Sequence, residues 1–210
     1  MGRRLLEAAI NGDTMELDRL LQEDSRILDR EMSKCEKEGK DNPVHIAATY
    51  GHVDFVREIL SRKWEFTCQL NSQGQSPLHL ATARGHVEVV KEILSKDADA
   101  CFIRDEDGMI PLHLAAIKGR LGVLETLVEA KKMTAFILTK SGEPILHLCA
   151  KNNQTIALMM LVNLVDNDNF LQLKDSDDNT ILHVIMQANN QSRQALVPYL
   201  LEKGVLDVNA

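Results

Sequence analysis

Seven histidines and four cysteines are the residues of this 210-residue chain best suited to hold a metal or to serve a nucleophile. A zinc site would need several of them converging at bond lengths of about 2.0–2.3 Å. Their spacing argues against that. His45, His79, His113, His147 and His183 follow one another at steps of 34, 34, 34 and 36 residues, one in each of a series of like segments. Consecutive helical units of that kind stack roughly 10 Å apart, too far for their side chains to share one ion. No His-Glu-x-x-His stretch occurs, and Cys35, Cys68, Cys101 and Cys149 include no Cys-x-x-Cys pair. Asp175-Ser176-Asp177-Asp178-Asn179 copies the opening of a calcium loop but has Thr180 where that loop needs Gly and Met186 where it needs Glu. It reads as a solvated acidic loop. Phosphate-cradling and nucleophile-elbow motifs are missing as well. The expectation is therefore no catalytic residue, no metal and no cofactor, with the histidines acting as structural imidazoles that bond a neighbouring turn.

The elements that carry these histidines recur with them. Asn42-Pro43-Val44-His45-Ile46-Ala47, Ser76-Pro77-Leu78-His79-Leu80-Ala81 and Ile110-Pro111-Leu112-His113-Leu114-Ala115 repeat one pattern. Pro144-Ile145-Leu146-His147-Leu148-Cys149 and Thr180-Ile181-Leu182-His183-Val184-Ile185 are looser copies, and Leu5 to Asp13 fits the frame without the histidine. Proline in a first helical turn costs nothing, because its missing N–H would have no partner there. Gly51, Gly85 and Gly119, each six residues after a histidine, allow the positive φ of a tight helix-to-helix turn. A second amphipathic run follows, clearest in Val87 to Leu94, and then a polar link such as Arg104 to Gly108.

Composition bounds the rest. A formal charge of −7 argues against a nucleic-acid binder, which needs a basic face. The longest apolar run, Ile156 to Val162, is far below the ~18 residues needed to span a bilayer, and Met1-Gly2-Arg3-Arg4 does not lead into a signal peptide. Unpaired thiols, with Cys149 buried, fit a reducing, cytoplasmic setting.

These motifs resemble the ankyrin repeat, whose pattern is Gly, Thr-Pro-Leu-His-x-Ala-Ala and Gly-His; Gly74 to Leu94 matches it almost throughout, and His52 and His86 stand at the Gly-His position. The resemblance implies an all-α solenoid of about six stacked helix-turn-helix units with projecting hairpin or loop fingers. The units fall at 1–36, 37–70, 71–104, 105–138, 139–174 and 175–210. The first is a capping copy with an extended, mobile loop over Arg30 to Lys40, and the last includes the start of a truncated seventh. Two extra residues near Asn167 to Leu171 should enlarge another loop. Asn153, Asp178 and Asn189 replace turn glycines and should take αL with some strain. Trp64 should pack at a junction between repeats. Leu196, Leu200, Leu201 and Val205 are apolar for a closing repeat, which suggests a fragment of a longer protein.

The resemblance also implies a partner protein on a concave face. The finger positions are Ser72, Gln73 and Gln75, then Glu106, Asp107 and Met109, then Lys140, Ser141 and Glu143. The helical positions are Thr49 and Tyr50, Ala83 and Arg84, Ile117 and Lys118, and Lys151 and Asn152. Tyr50, Arg84, Met109 and Ile117 are the expected anchors. Leu70-Asn71, Phe102-Ile103 and Leu171-Gln172-Leu173 resemble the plant ankyrin proteins that carry a membrane-spanning PGG-type C-terminal domain and act in defence signalling. That would place the array on the cytosolic face of a membrane, with the anchor in a missing C-terminal part. Two alternatives stay open: a regulatory segment of a larger enzyme or channel, and a self-associating structural array.

Overall fold

Alternation of short apolar helices with polar links should give pairs of helices rather than a sheet, and the structure bears this out. A computed structural model describes residues 2–187 and 191–203, with 191–195 as backbone. All regular structure among them is helical, and the chain divides into two compact units, 1–106 and 107–210.

The first unit contains α1 (Gly2–Asn11), α2 (Thr14–Glu23), α3 (Ile27–Glu38), α4 (Pro43–Tyr50), α5 (Val53–Arg62), α6 (Pro77–Arg84) and α7 (Val87–Lys96). Helices α1, α4 and α6 pack in succession, as do α2, α5 and α7, so two layers form. Short 3-10 turns at Trp64–Thr67 and Ala98–Phe102 follow α5 and α7. The second unit repeats the plan with α8 (Pro111–Lys118), α9 (Leu121–Ala130), α10 (Ile145–Lys151), α11 (Thr155–Val165), α12 (Asp168–Leu171), α13 (Ile181–Gln187) and α14 (Gln191–Glu202). Here α8, α10 and α13 form one layer and α9, α11 and α14 the other.

Each helix buries one stripe. In α7, Val89, Val90 and Ile93 are buried while Glu88, Lys91 and Lys96 face water. The inner helices present small residues, with Ala47 and Ala48, Ala81, and Ala115 and Ala116 fully buried. Small side chains let neighbouring inner helices approach closely, and Phe55, Phe66, Phe170 and buried Leu and Ile side chains fill the rest of the core. The recurring glycines end the inner helices in αL, at φ +82° for Gly51, +87° for Gly85 and +64° for Gly119.

Three expectations are corrected. Arg30 to Lys40 is not an extended loop but most of α3, which ends on Gly39 at φ +61°. Ile27, Leu28, Glu31 and Cys35 are buried at helical spacing, and that stripe outweighs the charged residues between them. The insertion at Asn167 to Leu171 folds as α12, capped by the Asn167 side chain on the Asn169 N–H at 2.9 Å. Trp64 is not sealed into a junction: it is 53% exposed, and Phe66 of the same 3-10 turn takes the buried place. Asn153 and Asp178 do adopt αL, at φ +56° and +62°, and Asp166 joins them at +43°. Asn189, Val205 and the start of the seventh copy lie outside the described residues.

Candidate functional site

The histidines test the chemical reading most directly. Nδ1 of His45 accepts the Asn42 N–H at 3.2 Å, and His79, His113 and His183 accept from Ser76, Ile110 and Thr180 at 3.2, 3.2 and 3.3 Å. An accepting Nδ1 leaves the proton on Nε2. That Nε2–H donates to a carbonyl of the following link: His45 to Gln75 at 2.9 Å and His113 to Ile137 at 2.8 Å. His147 donates in the same way to Asn179 at 2.8 Å. Burial pushes His45 down to about 4 and lowers His147 too, so both rings are neutral near pH 7. His45 and His113, with both nitrogens bonded to backbone, have neither a lone pair for a metal nor a proton to exchange.

The Gly-His histidines perform a second bridging task. His52 Nε2 donates to Ile10 O at 2.8 Å and His86 Nε2 to Thr49 O at 3.0 Å. Each ring lies against the glycine that ends an earlier helix. A Cβ on Gly51 would stand 2.7 Å from His86 Nδ1, and one on Gly12 2.6 Å from His52 Nδ1. In the second unit Gln154 takes this part, its Nε2 donating to Ile117 O at 3.2 Å. Sequence reading identified both residues of the motif but missed their contact across repeats.

Cys35, Cys68 and Cys149 are not tuned as nucleophiles, because burial raises all three. Cys35, Cys101 and Cys149 are buried, and burial pushes Cys149 up to about 12. Cys68 is exposed, but desolvation raises it and its Sγ lies 3.1 Å from the Asp97 carboxylate. The acidic stretch at 175–179 is committed as well: Asp175 Oδ1 accepts the N–H groups of Asp177 and Asn179 at 3.0 and 2.9 Å. Among the described residues no group of three His, Cys, Asp or Glu could hold a metal ion.

Closed turns display the finger residues. Asn71 Oδ1 accepts the N–H groups of Gln73 and Gln75, both at 3.0 Å, and Asn71 N–H donates to Gln75 O at 3.0 Å. The Thr139 hydroxyl does similar work for the Glu143 N–H at 3.1 Å. The fingers are thus compact side-chain-capped turns; no strand occurs among the described residues.

In the first unit Tyr50, Ser72, Gln73, Arg84 and Glu106 are exposed, while Thr49, Gln75 and Ala83 are half-buried. Tyr50 is 56% exposed, and its ring stacks on His52 with centroids 6.1 Å apart. The Thr49 hydroxyl is occupied, donating to His45 O at 2.9 Å. In the second unit Asp107, Lys118, Lys140, Ser141, Lys151 and Asn152 are exposed, and Met109, Ile117 and Glu143 are half-buried. Glu143 and Lys151 form an ion pair, and Asn152 Nδ2 donates to Leu148 O at 2.8 Å. Two of the four expected anchors, Tyr50 and Arg84, are thus presented to solvent, whereas Met109 and Ile117 are partly covered.

A family model described as Ankyrin repeats (3 copies) matches residues 5–103, 69–137 and 112–210, overlapping windows that together run through nearly the whole chain. The chain belongs to the ankyrin-repeat family. No curated protein sequence matched it significantly. Ankyrin repeats are in general protein–protein interaction modules, and the family is typically non-catalytic. In this ankyrin chain His45, His113 and His147 each bond a backbone carbonyl of the following link. No described helix is long and apolar enough to cross a membrane.

Proposed function

We propose that this ankyrin chain is a non-catalytic interaction module that binds a partner protein through its finger turns and the exposed ends of its inner helices. The observation that carries the reading is the contrast between committed and presented groups. The described imidazole nitrogens bond backbone groups and nearby hydroxyls, while Tyr50 and Arg84 stand exposed on packed helices. A pre-ordered surface limits the entropy lost on binding, and Tyr and Arg are the side chains most enriched where binding energy concentrates. The proposed surface comprises Thr49, Tyr50, Ser72, Gln73, Gln75, Ala83, Arg84 and Glu106 in the first unit. The second unit is proposed to offer a surface of its own, with Asp107, Met109, Ile117, Lys118, Lys140, Ser141, Glu143, Lys151 and Asn152. The six repeat boundaries given above are part of the same proposal.

The narrower setting, the cytosolic part of a membrane-anchored plant defence protein, rests on sequence resemblance before the fingers. Self-association is a second reading with one observation in its favour. At positions where α5, α7 and α9 carry charges such as Arg57, Lys91 and Glu125, α11 carries Met159, and its Ile156 is 66% exposed. Light scattering against concentration separates a monomer from an assembling array.

The test of the main reading is Tyr50→Ala/Arg84→Ala. Each truncation of an anchor costs more than about 1 kcal/mol of binding, so a protein retained by the wild-type chain should be lost from the double variant while Tm stays nearly unchanged. Retained capture, or an equal loss of stability, would assign both residues to packing.

A further inference from the structure

Helix α3 is far longer than the 3-10 turns and α12 that follow the other outer helices, and it creates a concavity of its own. Gln69 Nε2 donates to Met32 O at 3.2 Å, Lys63 Nζ pairs with Asp29 at 2.6 Å and Asn71 Nδ2 donates to Asp41 Oδ1 at 2.8 Å. These bonds hold the α3 segment against the chain from 63 to 71. Between the two lies an open cleft of about 460 Å³, lined by Met32, Glu36, Glu65, Cys68, Gln69 and Leu70. None of these residues belongs to the proposed finger surface.

The lining has a definite chemistry. Met32 from one side and Leu70 from the other are apolar, and Leu70 is 42% exposed. Each side also contributes one exposed carboxylate, Glu36 from α3 and Glu65 from the 3-10 turn. Among the described residues neither is in an ion pair, whereas nearby Asp24, Asp29 and Glu38 pair with Arg30, Lys63 and Lys40. A cleft lined by apolar side chains and by two acids outside any ion pair suits a side chain with a hydrocarbon stem and a cationic head. The volume lies within the range of about 300–1,000 Å³ usual for ligand sites. Phosphate-bearing ligands and anionic lipid surfaces would be repelled by the same two acids.

We propose that this cleft is a second docking site, taking a peptide segment of a partner protein that presents Lys or Arg flanked by aliphatic residues. The stem lies along Met32 and Leu70, the cationic head sits between Glu36 and Glu65, and the flanking residues cover Leu70. Cys68 provides a built-in reporter, because it lines the cleft and is exposed while Cys35, Cys101 and Cys149 are buried.

The experiment titrates the intact chain with acetyl-Leu-Arg-Leu-Lys-Leu-amide, and with the same peptide bearing Glu in place of Arg and Lys. It follows the Met32 methyl NMR signal and the rate of Cys68 alkylation. The basic peptide should shift the methyl saturably and slow alkylation several-fold, with an effect that weakens as salt rises. Glu36→Gln/Glu65→Gln should bind about tenfold more weakly, as befits two exposed ion pairs. Tyr50→Ala/Arg84→Ala should bind unchanged, which keeps this site separable from the finger surface. No saturable response to millimolar basic peptide, equal protection by the acidic peptide, or unchanged binding by the Glu36→Gln/Glu65→Gln variant would overturn the proposal.

Discussion

The turn after α4 and the turn after α10 occupy the same place in the repeat, yet they are built differently. Gly51 closes the first at φ +82° and Asn153 the second at +56°. Gly51 also sits beneath the His86 ring, which reaches back to Thr49 O. Glycine there has two tasks, to supply a left-handed backbone and to leave room for a side chain from the next repeat. Asparagine performs the first at small cost. The entries to the two inner helices differ in parallel. Pro43 stands two residues before His45, so the Asn42 N–H remains free to bond Nδ1. Pro144 stands three residues before His147, where that donor should be, and His147 Nδ1 is buried without a hydrogen-bond partner. One displaced proline therefore removes a hydrogen bond that four other histidines keep.

Acid should expose the difference most strongly. His45 has an ordinary value of 6.5 and is held at about 4 in the folded chain by burial. Between those values the unfolded chain binds the extra proton and the folded chain does not, so stability falls as pH falls from 6.5 towards 4. The loss from this one group is about 3 kcal/mol. Protonating His45 also removes its bond from the Asn42 N–H, whereas His147 Nδ1 has no such bond to lose. Urea denaturation at neutral pH and near pH 4.5 should show the wild-type chain losing more stability than His45→Gln. The corresponding difference for His147→Gln should be smaller. Equal acid sensitivity in wild type and His45→Gln would refute the buried neutral imidazole.

The turns come next in size. Gly51→Ala meets both an unfavourable φ and the His86 ring, and should cost about 2–3 kcal/mol. Asn153→Ala replaces a residue tolerant of αL by one that is less so, and should cost about 1 kcal/mol. Matched melting curves check the pair. Losses of the same size would mean that His86 can yield without penalty and that the interlock contributes nothing.

How far all this could be read in advance depended on whether one residue determines one local geometry. Proline, the turn glycines and the histidine positions do so, and the helix pairs followed from them. Helix α3 was obscured because Lys34, Glu36 and Lys37 look like a solvated loop, although Leu28, Glu31 and Cys35 already carried a helical stripe. Trp64 was misplaced because a 3-10 turn buries one side, and the sequence does not say whether Trp64 or Phe66 takes it. The exposure of Tyr50 and Arg84 was readable from register alone. The half-burial of Met109 and Ile117 depends on neighbouring side chains that the pattern does not specify. The division into two units after Glu106 falls within an unbroken repeat frame and had no signal.

The smallest effect is also the most specific, because it repairs a single missing donor. Thr180 supplies both an N–H to His183 Nδ1 at 3.3 Å and a hydroxyl at 2.8 Å, and Ser76 does the same for His79. Pro144→Thr would place those groups beside His147. Satisfying a buried acceptor is worth about 1–3 kcal/mol, and losing the proline's restraint on the unfolded chain returns roughly 0.4–1 kcal/mol of that. The net expectation is a chain stabilised by about 1 kcal/mol, read as a higher urea midpoint at unchanged slope. The reciprocal change, Thr180→Pro, removes the donor from His183 and should destabilise by a similar amount. If Pro144→Thr lowered the midpoint instead, the proline would be holding the entry to α10 more firmly than the lost hydrogen bond loosens it, and the contrast between the two helix entries would reverse.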